Sequence, residues 1–289
     1  SFFTTGAGDI YVSDVDDVYN LGDVMLTGDQ ITFQDLAADG LGLNQFASLD
    51  ARARNGITVN TSLTTTGGDL TLDSDTKDDG VVGVADGVTF ADGVVLTSAG
   101  DLILRADAGK DYPASDVEPF GESDLWAVGD LTLAAGGAVL LQDVLHVGGG
   151  LTFDLSGDIF LGNFTDVADG AAYLSTATMQ GISADSIAFA TDGDIFVNDV
   201  TGVDGMGAVT LSADEIAFGD FGGVDDQASA FASLDANALS GITVDTGLST
   251  SMGDLTLDGD TNSEDKISGG ITFADGVTLD SFGDPILRA

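Results

Sequence analysis

The sequence predicts an all-β chain wound as a parallel β-solenoid of short coils, and three observations predict it. Gly-Asp pairs recur ahead of short runs with alternating apolar residues, a repeat of 185 residues runs through the chain, and capped helical periodicity is almost absent. Only Ala47 to Ala53, with its copy at 232–238, carries a weak 3.6-residue period.

Gly8-Asp-Ile-Tyr-Val is the first of the Gly-Asp copies, and others start at Gly68, Gly100, Gly129, Gly157, Gly193 and Gly253. Gly28-Asp-Gln-Ile and Gly283-Asp-Pro-Ile are variants, and Gly149-Gly-Leu-Thr-Phe lies close to the pattern. Glycine and aspartate suit a tight turn, because one tolerates any backbone conformation and the other bonds to its own backbone. The residues that follow alternate, as in Leu70-Thr71-Leu72, so each copy should enter a strand with one buried face. Leu70, Leu72, Leu102, Leu104, Leu255 and Leu257 are expected inside, with Thr71 and Thr256 outside. Some neighbouring copies lie about 20 residues apart; at about 4.8 Å per coil that spacing implies about 14 coils and a rod about 70 Å long. The competing architecture is a string of β-sandwiches, but no proline marks a joint near residue 90 or 185.

The long repeat carries Phe46-Ala-Ser-Leu-Asp-Ala onto Phe231-Ala-Ser-Leu-Asp-Ala and Gly68-Asp-Leu-Thr-Leu-Asp onto Gly253-Asp-Leu-Thr-Leu-Asp. Between 8–76 and 193–261, 36 of 69 positions are identical. After a two-residue deletion the match resumes, with Thr89-Phe-Ala-Asp-Gly-Val against Thr272-Phe-Ala-Asp-Gly-Val and Ile103-Leu-Arg against Ile286-Leu-Arg. We therefore expect one continuous solenoid over 1–289, with 1–106 and 186–289 as equivalent halves of a long repeat. A chain that stops in mid-period is expected to be a window on a longer array. Residues 107–124 hold Pro113 and Pro119 and lack alternation, so a loop insertion is expected there.

Composition narrows the function. With 49 acidic side chains against 7 basic ones, the net charge is −42, which leaves no cationic surface for nucleic acid or for an anionic membrane. Yet 43% of residues are hydrophobic, enough for a core and too many for a disordered acidic tail. Only Glu118, Glu122, Glu215 and Glu264 are glutamate, so the acid is aspartate at turns and not a solubilising helix surface. Cysteine is absent, which excludes disulfides and thiolate zinc sites while leaving secretion open. No apolar run is long enough to cross a membrane as a helix, and no leader is visible before Ser1.

The Gly-Asp-Leu-Thr-Leu, Ala-Asp-Gly-Val-Thr-Phe and Gly-Asp-Leu-Ile-Leu-Arg-Ala phrases resemble the repeat regions of filamentous-haemagglutinin-type bacterial surface adhesins. That resemblance covers most of the chain and implies a right-handed β-helix, secretion to the cell surface and a role in attachment. The amino-terminal secretion module of such proteins is not seen in this sequence.

Candidate sites are few. The densest acidic loops contain Asp73, Asp75 and Asp79, and their counterparts Asp258, Asp260 and Glu264. Alternate carboxylates at this spacing can converge on Ca²⁺, which takes six to eight oxygens. Asp78 and Val84 occupy the loop positions where an EF-hand needs Gly and Glu, so the motif is not an EF-hand. A solvated turn with carboxylates capping local amides is the plain alternative. His146 has neither a second imidazole nor a thiolate, so it fits a surface or core-edge role. Arg105 and Arg288 share one repeat position and should neutralise nearby aspartates. Asn60-Thr-Ser62 and Asn163-Phe-Thr165 match the glycosylation triplet.

Two function classes remain. The first is a non-enzymatic, extracellular, rod-like adhesin or filament segment that attaches to a cell-surface or matrix ligand, carbohydrate among the candidates. The second is a self-assembling sheath or matrix fibre, formed by end-to-end or lateral self-association. A Ca²⁺-dependent carbohydrate-active enzyme is a distant third, because such chemistry needs a base and the basic residues are so few.

Overall fold

The computed structural model describes residues 2–5, 8–13, 15, 23–35, 44–74, 87–91, 94–105, 125–127, 129–135, 139–141, 144–165, 167, 172–221, 227–261 and 269–289. It is an all-β parallel solenoid, in which the strand pairs of the described residues run parallel. It divides into two compact units, 1–149 and 150–289.

In the first unit each coil contributes strands to three stacks. The first stack runs Phe2–Thr5, Asp23–Gly28, Ser48–Ala53, Leu70–Asp73, Leu102–Arg105 and Val139–Leu141. The second runs Ile10–Ser13, Ile31–Gln34, Ile57–Val59, Val88–Phe90, Leu125–Ala127 and Leu145–Val147. The third runs Asn44–Phe46, Leu63–Thr65, Val94–Ser98 and Leu131–Ala135. Strands are short because each ends at a corner, and period-two alternation puts one residue in two inside. Leu49, Leu70, Leu102 and Val139 form one inward row in register, each at most 2% exposed. Ala51, Leu72, Leu104 and Leu141 form the next. Thr71 is only half-buried, so the expected inward and outward faces hold. Burial of each such leucine contributes about 1.5–3 kcal/mol.

The second unit has the same plan with two fused elements. Gly150–Leu155, Ser186–Thr191, Leu255–Asp258 and Pro285–Arg288 form a stack with the first halves of two long strands, Ala208–Phe218 and Ser233–Val244. The second halves of those strands join Ala172–Leu174, Ile159–Gly162, Ile195–Asn198 and Ile271–Phe273 in another stack. Ser229–Phe231, Leu248–Thr250 and Leu279–Ser281 form the third. The register slips between Ala213 and Glu215, where a bulge turns the chain without breaking it.

Pairing registers recur between the units. Leu49 pairs with Leu70 and Leu234 with Leu255; Ile57 pairs with Val88 and Ile242 with Ile271; Asp73 pairs with Arg105 and Asp258 with Arg288. Sequence steps along the main stacks agree as well, at 22, 25 and 21 residues from Phe2 to Leu70 and from Ile187 to Leu255.

Two expectations need correction. Coils are not uniform units of about 20 residues, because the steps reach 32 from Leu70 to Leu102 and 37 from Leu102 to Val139. Strand register is fixed by the core, while corners accept connections of any length. The segment with weak helical periodicity, Ala47 to Ala53, is a strand over Ser48–Ala53, with Leu49, Ala51 and Ala53 buried at alternate positions. The α-helix of the described residues is Thr176–Gln180, capped by Ser175 Oγ accepting from the Thr178 amide at 3.1 Å and anchored by buried Met179. The insertion expected at 107–124 lies outside the described residues.

Candidate functional site

The Gly-Asp corner is the polar motif the chain repeats most, and its geometry explains why it repeats. The Asp69 carboxylate reaches across to the next coil and accepts from the Asp101 amide at 2.9 Å. Asp254 does the same for the Asp284 amide at 2.9 Å, Asp158 for Asp194 at 3.1 Å, and Asp194 for Glu215 at 3.1 Å. The glycine ahead of each receiving aspartate leaves room for that carboxylate. A Cβ on Gly100 or Gly283 would overlap Asp69 Oδ1 or Asp254 Oδ1. Backbone bonds tie the same corners, with the Gly100 amide donating to the Gly68 carbonyl at 3.2 Å and Gly283 to Gly253 at 3.1 Å. Hydroxyls complete them, since Thr65 donates to the Gly68 carbonyl at 2.6 Å and Thr250 to the Gly253 carbonyl at 2.7 Å. Aspartate serves here because its one-carbon arm matches the rise between coils. These carboxylates are thereby paired with amides, which offsets part of the repulsion between stacked acids.

Along the strands the structure also keeps acids apart. In the described registers, outward aspartates face threonine, serine, asparagine, methionine, alanine or arginine, never another aspartate. The outward row Thr27, Arg52, Asp73, Arg105 alternates in charge. Arg52 also grips Asp50 with Nε at 2.9 Å from Oδ1 and Nη2 at 2.9 Å from Oδ2, and that bond raises its pKa further.

Of the expected cation ligands, Asp73, Asp258 and Asp260 are described; Asp75, Asp79 and Glu264 lie outside the described residues. Asp258 sits at a strand end, with Oδ2 3.8 Å from Arg288 Nη1 and Oδ1 accepting from the Asp260 amide at 3.4 Å. The Gly270 amide donates to the Gly259 carbonyl at 3.1 Å, closing the neck of that loop. Among the described residues, no three His, Asp or Glu side chains gather as a metal would need. The structure thus pairs the repeat-related arginines with Asp73 and Asp258.

Asp73 is half-buried, and burial pushes its pKa above 3.8, with Arg105 and then Arg52 pulling it down and Asp50 adding to the rise. The folded state therefore holds this proton more tightly than the unfolded chain. Its contribution to stability is full below the unfolded value and is lost as pH rises through the folded one. We expect Asp73→Asn to melt above the wild type at pH 7, with the difference shrinking as melts are repeated toward pH 4. A lower midpoint at pH 7 would mean that attraction to the arginines outweighs burial.

A third grouping was not anticipated from sequence. Phe160, Phe164, Tyr173, Phe196 and Phe221 gather on the outside of the second unit. Phe160 and Phe196 stack at 5.0 Å and 19°, Phe164 and Phe221 at 5.6 Å and 19°. Phe164 meets Phe160 edge to face at 5.2 Å and Tyr173 at 6.4 Å, and Phe221 meets Phe196 at 5.5 Å. The signal was present in Gly157-Asp-Ile-Phe and Gly193-Asp-Ile-Phe, where phenylalanine takes the outward place held by threonine in Gly68-Asp-Leu-Thr. His146 lies on the strand Leu145–Val147 in register with Trp126 and is half-buried. Asn60 and Asn163 are both exposed. No helix among the described residues is long and apolar enough to cross a membrane.

Comparison with protein families, with characterised proteins and with solved structures finds no match for this chain.

Proposed function

We propose that this chain is a non-enzymatic extracellular surface protein, an adhesin or filament segment that mediates attachment from a solenoid scaffold. The Gly-Asp corner carries the reading: the polar group the chain repeats most is engaged in joining coil to coil, as expected of a scaffold. The resemblance of its repeat phrases to filamentous-haemagglutinin-type adhesins supports the same role, and with it a secreted or cell-surface location. The test is retention of the purified chain on surfaces coated with cells or matrix material against albumin-coated controls. Retention well above the control is expected. Release of sugars from polysaccharide substrates would overturn the non-enzymatic reading, and particles that lengthen with concentration without retention would favour a self-assembling sheath.

Ca²⁺ at the two acidic loops belongs to this proposal. External media supply the ion, and seven basic residues cannot balance 49 acids. Ca²⁺ at fixed ionic strength is expected to raise the melting midpoint, by RT ln(1 + [L]/Kd) in free-energy terms. The rise should vanish in the Asp75→Ala, Asp260→Ala double variant. A midpoint indifferent to chelator would leave charge screening alone to account for stability.

A further inference from the structure

The outward row of the second unit's second stack runs Tyr173, Phe160, Phe196, Ala217, Thr243, Thr272 in register. In the first unit the corresponding row is Tyr11, Thr32, Thr58, Thr89. Three consecutive rungs of the second unit thus carry rings where threonine would suffice for a solvated sheet face. Phe164 and Phe221 pack onto these rungs, and Phe221 stays 37% exposed. A Cβ on Gly219 would stand 3.2 Å from Phe221 Cζ and 3.7 Å from Asp245 Cβ, so that ring and that carboxylate flank one glycine. Asp220 and Asp245 are both exposed.

Charge selects the occupant. From 150 to 289 the sequence holds two basic residues, Lys266 and Arg288, against an acidic majority. Arg288 lies against Asp258, and Lys266 is outside the described residues. An open ring beside carboxylates on a strongly negative chain fits a cation with a flat face. An anionic glycan would be repelled. A neutral sugar would leave the carboxylates idle, and Phe160 and Phe196 turn their faces to each other instead of offering a platform.

We propose that this patch docks an arginine-rich polypeptide segment, with a guanidinium on the Phe221 ring and its N–H groups paired to the Asp245 and Asp220 carboxylates. The proposal rests on the attachment reading and gives it a partner chemistry. The test is calorimetric titration of the full chain with an Arg-Gly-Ser repeat peptide at physiological ionic strength, beside a Gly-Ser peptide of equal length. Phe221→Leu, which keeps apolar bulk but loses the ring, is expected to weaken the arginine peptide about fivefold, and adding Asp245→Asn to bring the loss to about tenfold or more. Asp245→Asn alone, at an exposed side chain, carries the test if Phe221→Leu melts early. Equal binding to wild type and variants would reduce the effect to bulk charge and overturn the site. Tighter binding of a neutral oligosaccharide, or a dimer lost in Phe221→Leu, would overturn it in favour of a sugar or a second copy. Retention on coated surfaces that persists in Phe221→Leu would sink the patch while sparing the attachment role; loss of retention with peptide binding intact would do the reverse.

Discussion

Leu72→Ala is expected to cost about 3 kcal/mol and to lower the melting midpoint by roughly 5–10 °C. Leu72 is fully buried between Ala51 of the preceding coil and Leu104 of the following one, in register with both. The space left by its side chain cannot close, because the corners fix the coil spacing independently of the core. Thr71→Ala, one residue away on the outer face, is expected to change stability by under about 0.5 kcal/mol. Leu257→Ala in the second unit should cost less than Leu72→Ala, since its in-register neighbour Leu287 is 48% exposed and the cavity opens toward water. Equal losses for Leu72→Ala and Thr71→Ala in chemical or thermal melts would contradict the assigned inward face.

Gly193→Ala is expected to cost about 2–3 kcal/mol. A Cβ at Gly193 would stand 2.6 Å from the Gly157 carbonyl carbon and 2.9 Å from its oxygen, both main-chain atoms of the neighbouring coil. Backbone held in a parallel ladder on the Ile159 and Ile195 strands cannot retreat without breaking pairs. At Gly100 the first atom met is Asp69 Oδ1, a side-chain atom that can swing away. Gly100→Ala should therefore lose little more than the Asp69–Asp101 bond, about 1 kcal/mol. The two midpoints, measured under one buffer, check the ordering; a smaller loss at Gly193 than at Gly100 would refute the close approach of the coils.

The alternation of Leu70-Thr71-Leu72 was enough to place leucine inside and threonine outside, because a strand's two faces are set by adjacent residues alone. The 185-residue shift likewise foretold which strands share a register, since like sequences stack alike. The aspartate-rich corners were legible as turns but not as bonds between coils, for the accepting carboxylate and donating amide lie about 30 residues apart, as in Asp69 and Asp101. The strand at Ser48–Ala53 misled by its alanines, whose spacing suits a helix as well as a strand. The aromatic patch escaped because Phe160, Phe164, Tyr173, Phe196 and Phe221 become neighbours only when coils of unequal length are stacked.

By itself, then, the amino-acid order determined the all-β parallel class, the inward and outward faces and the repeat, all of which follow from contacts between residues near in sequence or alike in sequence. The three-stack cross-section, coil steps of 21 to 37 residues and the partners of each aspartate were decided only when the chain closed on itself. Parallel pairing constrains strands but leaves corner length free, so no local pattern can count the residues between one coil and the next.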